Sequence, residues 1–228
     1  MKRVIPIAIL IVVAFVLALL AFGNIFHLLP ASTSNPNNTL KSPLIPQDTH
    51  VPPYTTITYD FNNGQPALFE GQNTPLNQTS SGLTTYFSSP SDPAAFSIQS
   101  YDTTFYILSQ FSGNYLFDNK IVRDKLYISF SQPLTDISLT FATAEYYGAG
   151  HVDEPSTMKV TAYSYKNGVL TIIGSNTAKG IVTNNTFPQG ILSFTTQQSF
   201  NFIEIEMLPQ QPGGTDFLID NIIVTTAP

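Results

Sequence analysis

The sequence predicts an all-β fold, an antiparallel β-sandwich, behind a single N-terminal transmembrane helix. Three observations predict it. Residues 4–26 run for twenty-three positions without a charge. Beyond residue 30, no segment shows the apolar spacing of three and four that marks an amphipathic helix. Instead, about ten short runs alternate apolar with polar residues, rich in β-branched and aromatic side chains and separated by turn residues.

The leading segment sets the compartment. Residues 1–3 carry Lys2 and Arg3, and Val4 to Phe26 follow with Pro6, Gly23 and Asn24 as weak interruptions. At about 1.5 Å per helical residue this stretch reaches roughly 34 Å, enough for a hydrocarbon core of about 30 Å. A cleaved secretory signal is the competing reading. Its apolar region spans about 7 to 15 residues and ends at a small-x-small site. Ala18-Leu19-Leu20-Ala21 and Leu29-Pro30-Ala31 fit that pattern poorly. Lys2 and Arg3 are the only charges before Lys41, so the positive-inside rule leaves the N-terminus in the cytoplasm. The expectation is a single-pass protein of the cell membrane, residues 4–26 in the lipid bilayer and the C-terminal domain extracellular. Cleavage would make it secreted.

Residues 27–53 read as a stalk. Positions 31–53 hold five prolines and nine Ser, Thr or Asn without apolar periodicity. Proline withholds a backbone donor, so such a stretch favours extended conformations over sheet pairing. At about 3.1 Å per residue it would reach at most roughly 70 Å. Asn37, Asn77 and Asn184 each head an Asn-x-Ser/Thr sequon, compatible with surface glycosylation.

Residues 54–228 form one predicted domain. In Thr55 to Phe61, Ile57, Tyr59 and Phe61 share one face and Thr56, Thr58 and Asp60 the other. The alternation returns at Lys125 to Phe130, Ile137 to Ala142 and Met158 to Tyr165. Further strands are expected at Leu83 to Phe87, Ala95 to Ser100, Val169 to Ser175, Ile191 to Thr195, Phe202 to Met207 and Phe217 to Thr225. Asn167-Gly168 between two alternating runs predicts a tight hairpin, because both residues tolerate positive φ.

Composition excludes several functions. Thr, Ser, Asn and Gln make up 74 of 228 residues, while 11% are charged. Nine basic residues stand against fifteen acidic ones, with pI near 4.8, so no basic surface exists to hold nucleic acid. The absence of cysteine removes disulfide scaffolds, thiol catalysis and zinc-thiolate sites.

The order of Leu126-Tyr127-Ile128-Ser129-Phe130-Ser131-Gln132-Pro133, Ile137-Ser138-Leu139-Thr140-Phe141, the hairpin from Val160 to Ser175, and Phe217-Leu218-Ile219-Asp220-Asn221-Ile222-Ile223-Val224 carries a resemblance. It resembles the galactose-binding-like jelly-roll domains of surface and secreted proteins, which include many carbohydrate-binding modules. The likeness covers most of residues 54–228 and implies a jelly-roll sandwich. It also implies a structural calcium ion between an acid of the first strand and an Asp of the last, here Asp60 and Asp220. A carboxylate inside an apolar strand is costly unless a cation or hydrogen-bond donors satisfy it. The competing reading turns both acids to solvent.

The candidate ligand contact is the long loop Thr143 to Thr157. Tyr146 and Tyr147 offer flat faces to a sugar ring, and Glu145, His151, Asp153 and Glu154 offer polar contacts. The competing reading is a surface loop whose tyrosines pack on the sandwich edge. No catalytic set stands out: His151 has no second histidine beside it, and Gly-x-Ser-x-Gly is absent. The leading expectation is therefore a non-enzymatic, membrane-anchored surface module that recognises an extracellular glycan through loops at one end of the sandwich. The alternative is a structural or assembly protein making contacts with envelope proteins. A glycoside hydrolase-like enzyme comes third.

Overall fold

The computed structural model describes residues 54–100, 108–119, 124–144, 155–182, 187–208 and 216–228. All lie within the compact unit His50–Pro228. Residues 1–53, with the expected stub, span, stalk and Asn37, fall outside the described residues. Among the described residues every regular element is a strand, and no helix is long and apolar enough to cross a membrane.

The strands are β1 (Thr56–Tyr59), β2 (Leu76–Ser80), β3 (Leu83–Ser88), β4 (Phe96–Ser100), β5 (Asn114–Asp118), β6 (Leu126–Thr143), β7 (Thr157–Lys166), β8 (Val169–Lys179), β9 (Gln189–Leu208) and β10 (Phe217–Thr226). All pairings between them are antiparallel. Two long strands organise the domain. The first part of β6 lies between β3 and the second half of β9. Beyond Pro133, β6 lies between β10 and the first half of β9. One layer is thus β2-β3-β6-β9-β7-β8 and the other β4-β5-β10-β6-β9, with β1 beside β10. The sandwich is present, and its layers are joined through β6 and β9 rather than separate.

This corrects the expected strand boundaries. Lys125 to Phe130 and Ile137 to Ala142 belong to one strand, as do Ile191 to Thr195 and Phe202 to Met207. Pro133 reads as a break because it cannot donate to a ladder. Here it falls inside the register shift between Ser129 and Leu134, where the ladder is already interrupted. Two strands, β2 and β5, went unpredicted because LNQTS is nearly all polar and NYLFD has no alternation.

The inner faces form one core. Tyr59, Phe61, Phe87, Phe96, Phe141 and Phe217 are all but fully buried, and burying each such side chain contributes roughly 1.5–3 kcal/mol. Phe61 packs on Phe87 with centroids 5.5 Å apart, and the Tyr59 hydroxyl donates to the Leu83 carbonyl at 2.6 Å. These contacts tie β1 and its extension to β3 across the layers. A smaller cluster of Leu108, Phe111, Ala142 and Leu218 covers the other side of β10. The Asn167-Gly168 hairpin forms as expected, with φ of 54° and 80°.

Candidate functional site

The outward side of the first layer is not purely polar. In the register of β6, β9 and β7, Ser129 opposes Phe202 and Phe202 opposes Tyr163. Tyr127 opposes Glu204, Glu204 opposes Thr161, and Lys159 opposes Glu206. Residues directly opposite share a face, so Tyr127, Phe202, Tyr163, Glu204, Glu206 and Lys159 occupy one surface. Phe202 meets Tyr127 edge-on at 5.2 Å and Tyr163 tilted at 5.6 Å. On the neighbouring strand Tyr86 stands opposite Ser129 and is 43% exposed.

Beside the aromatic trio lies a chain of charges. Lys125 Nζ donates to Glu204 Oε1 at 2.7 Å and lies 3.2 Å from Glu206 Oε2. Lys159 Nζ donates to Glu206 Oε1 at 2.8 Å. The hydrogen bond to Glu204 and the two carboxylates push the Lys125 ammonium above its usual range, against its partial burial. Burial would raise the Glu206 carboxyl, yet Lys159 and Lys125 together hold it below its usual value. Burial, with the Glu204 charge behind it, raises the Tyr127 and Tyr163 phenols. The face therefore keeps fixed ionic groups next to apolar rings at neutral pH. The sequence carried this signal in the off-phase residues of predicted strands: Lys125, Tyr127 and Ser129 alternate with Leu126, Ile128 and Phe130.

The acids Asp60 and Asp220 come together at a second place. Asp60 follows β1 and accepts hydrogen bonds at Oδ1 from the Asn62 and Asn63 backbone N–H groups and at Oδ2 from Asn63 Nδ2. Asp220 is fully buried in β10, under the segment 108–113. Its Oδ2 accepts from Ser112 N at 3.1 Å and its Oδ1 from Asn221 N at 2.7 Å. Burial pushes its carboxyl up to about 7, and the Asp60 charge adds to the rise against those two N–H groups. Asn221 sits at positive φ, 49°, where the β10 register shifts between Asp220 and Ile223. That bulge turns its side chain to the Gln110 carbonyl. Neither acid is left unsatisfied, and Asp220 does not face solvent.

Two carboxylates, one close enough for its charge to raise the other, match a divalent cation in charge. The Asn63 and Asn221 side chains could add amide oxygens only by turning, since both point N–H groups at the carboxylates. Among the described residues no group of three His, Cys, Asp or Glu gathers in metal-binding proximity.

Glu145, Tyr146, Tyr147, His151, Asp153 and Glu154 lie outside the described residues, as does Asn184. The root of their loop is described. Thr143 is buried and opposite Phe217, and Ala144 N donates to the Asp216 carbonyl at 2.8 Å. Asp220 is three residues along β10 from that root, a distance of about 10 Å at strand rise. Burial raises the Asp216 carboxyl there. Asn77 is exposed on β2, opposite Tyr86.

No family model and no curated protein matches the chain. Among solved structures it is similar to the K1 cleaved adhesin domain of Lys-gingipain from Porphyromonas gingivalis W83, at 11% identity and TM-score 0.43, covering 76% of this chain and 99% of that one. The CBM22-1 xylan-binding domain from Paenibacillus barcinonensis Xyn10C matches at 14% identity and TM-score 0.36, covering 75% and 96%. The family 32 CBM from C. perfringens NanJ, in complex with galactose, matches at 14% identity and TM-score 0.33, covering 63% and 93%. These are distant likenesses of architecture.

Proposed function

We propose that this chain is a surface recognition module that holds a saccharide on the outward face of β6, β9 and β7. The observation that carries the reading is the Phe202 ring flanked by Tyr127 and Tyr163, bordered by the chain Lys125–Glu204–Glu206–Lys159. Flat rings take the apolar face of a sugar, and fixed donors and acceptors beside them select its hydroxyls. Holding, rather than cleaving, suits Glu206. A glycosidic general acid needs a raised pKa, whereas Glu206 is held low by two lysines.

The test is binding of the detergent-solubilised full chain to a panel of soluble polysaccharides. Phe202→Ala and Tyr163→Ala should each weaken saturable binding about two- to tenfold, as loss of one stacking contact implies. Loss confined to Tyr146→Ala and Tyr147→Ala would move the site to the loop 143–157. Release of reducing ends would replace recognition with catalysis.

The uncharged run of residues 4–26 would anchor the module, and the proline-rich residues 27–53 would set it off the membrane. Alkaline extraction that leaves the full chain in the membrane fraction supports the anchor, and release of a shortened chain into the medium overturns it. A calcium ion at Asp60 and Asp220 also belongs to this reading. It would serve structure, by neutralising two carboxylates that repel each other.

A further inference from the structure

We infer that Asn77 carries an N-linked glycan whose first sugars lie on the Tyr86 ring and run towards Phe202. The chain's own glycan then regulates access to the outward face of β6, β9 and β7, a regulation that rests on that face being a saccharide site. Asn77-Gln78-Thr79 is the sequon that falls within the described residues, in β2. Asn77 is exposed, Gln78 buried and Thr79 half-buried, so Asn77 points to the outward side. The Asn77 amide is not used by the fold. It has no hydrogen-bond partner among the described residues, whereas the amides of Asn62, Asn63, Asn114 and Asn221 hold turns and strand ends in place.

The hairpin fixes what Asn77 stands beside. Ser81 and Gly82, at φ of 48° and 80°, form the two-residue turn that sets Ser80 opposite Leu83. The Thr79 N–H and C=O both bond to Gln65, away from β3. Thr79 and Thr84 are therefore a non-hydrogen-bonded pair, and their hydroxyls meet at 2.9 Å. Two residues back along β2, Asn77 and Tyr86 repeat that arrangement. It is the one in which opposed side chains come closest, with Cα atoms about 4.5 Å apart. A sugar on Asn77 Nδ2 thus starts beside an exposed aromatic ring, and flat rings take the apolar face of a sugar.

The register then leads the glycan across the sheet. Tyr86 opposes Ser129, Ser129 opposes Phe202, and Phe202 opposes Tyr163. With Asn77 these make one row on a single face, the small Ser129 leaving room between the Tyr86 and Phe202 rings. At about 4.8 Å per strand, Phe202 lies roughly 14 Å from Asn77 along the row, a span that a short glycan covers. Covalent attachment holds it there at an effective concentration on the order of millimolar, ahead of a dilute outside saccharide. The donor is an activated glycosyl phosphate. The Asn77 amide nitrogen bonds to the anomeric carbon, the bond from that carbon to the phosphate oxygen breaks, the phosphate leaves with the electron pair, and the amide gives up one proton. Because Thr79 Oγ1 is engaged by Thr84 once β2 and β3 pair, the transfer precedes closure of the hairpin.

The test uses the full chain purified in detergent from the cells that naturally make it. Mass spectrometry should find a sugar addition on Asn77 that is kept in Thr79→Ser and lost in Thr79→Val and Asn77→Gln. An unmodified Asn77 overturns the proposal. Thr79→Val and Asn77→Gln should each bind the polysaccharide that the natural chain retains about two- to tenfold more tightly, as freeing one ring from a stacked sugar implies. Equal affinity with and without the glycan, while Phe202→Ala still weakens binding, overturns the placement of the glycan and leaves the saccharide site standing. Retention of no polysaccharide by any form of the chain overturns the saccharide site instead. The glycan's position has its own readout in that case: Tyr86→Ala should lower the melting temperature more in the natural chain than in Thr79→Val. Equal shifts in the two backgrounds overturn the placement.

Discussion

Asp220 is buried in β10 where the negative charge of Asp60 raises its proton affinity further, and its carboxyl sits at about 7. The folded chain therefore holds a proton there that the unfolded chain, with a carboxyl near 3.8, has already lost. Native protein binding more protons means that stability is fully present below about pH 4 and falls as pH rises towards 7. The expected contribution is on the order of a few kcal/mol across that window. Asp220→Asn keeps the shape and cannot ionise, so its melting temperature should vary less between pH 4.5 and 7.5 than that of the natural chain. An unchanged slope would mean that Asp220 is ionised throughout.

Calcium should act in the opposite pH direction. A cation at Asp60 and Asp220 competes with the proton, so the rise in melting temperature on adding calcium should be large at pH 8 and small at pH 5. Asp220→Asn should abolish it. No shift with calcium or chelator at either pH leaves the N–H donors of Ser112, Asn62, Asn63 and Asn221 as the whole means of satisfying these carboxylates.

Much of this architecture is visible in the sequence because alternation reports which side of a strand is buried. Ile57 and Tyr59, or Leu126, Ile128 and Phe130, show the core directly. Alternation cannot report where a strand ends when the ladder continues through a shift, so Pro133 and the polar run Thr196–Ser199 hid the unity of β6 and β9. It also directs the eye to the apolar phase. Tyr127, Glu204 and Tyr163 lie in the other phase, on three strands whose neighbourhood is set by register rather than by sequence distance. That the Asp60 charge acts on Asp220 follows from tertiary packing and has no local signal in the sequence. No local pattern announces that the segment 108–113 folds over β10.

Glu206 gives an acid-side counterpart to Asp220. Lys159 and Lys125 outweigh the effect of burial and hold its carboxyl below the unfolded value of 4.5. Its contribution is present above that value and lost as pH falls through the lower folded pKa. Glu206→Gln should leave acid unfolding less steep below pH 4.5. Because the lysine side chains are 42% and 32% exposed, the stability change at pH 7 should be about 1 kcal/mol or less and shrink further in 1 M salt. A large, salt-independent loss would show that packing, not charge, is what Glu206 provides.

Tyr59 tests whether the two layers depend on one polar tie. Its ring is fully buried, and its hydroxyl donates to the Leu83 carbonyl across the sandwich at 2.6 Å. Burial raises the phenol, which stays protonated and able to donate. Tyr59→Phe retains the ring and removes only the hydroxyl, leaving the Leu83 carbonyl without that donor. An unsatisfied buried group costs about 1–3 kcal/mol. Tyr59→Leu would also shrink the core, at a further cost of roughly 1–3 kcal/mol. Chemical denaturation should show the midpoint falling for Tyr59→Phe with the slope unchanged, and falling further for Tyr59→Leu. If Tyr59→Phe is as stable as the natural chain, the tie contributes nothing net, and the layers are held by Phe61, Phe87 and their neighbours alone.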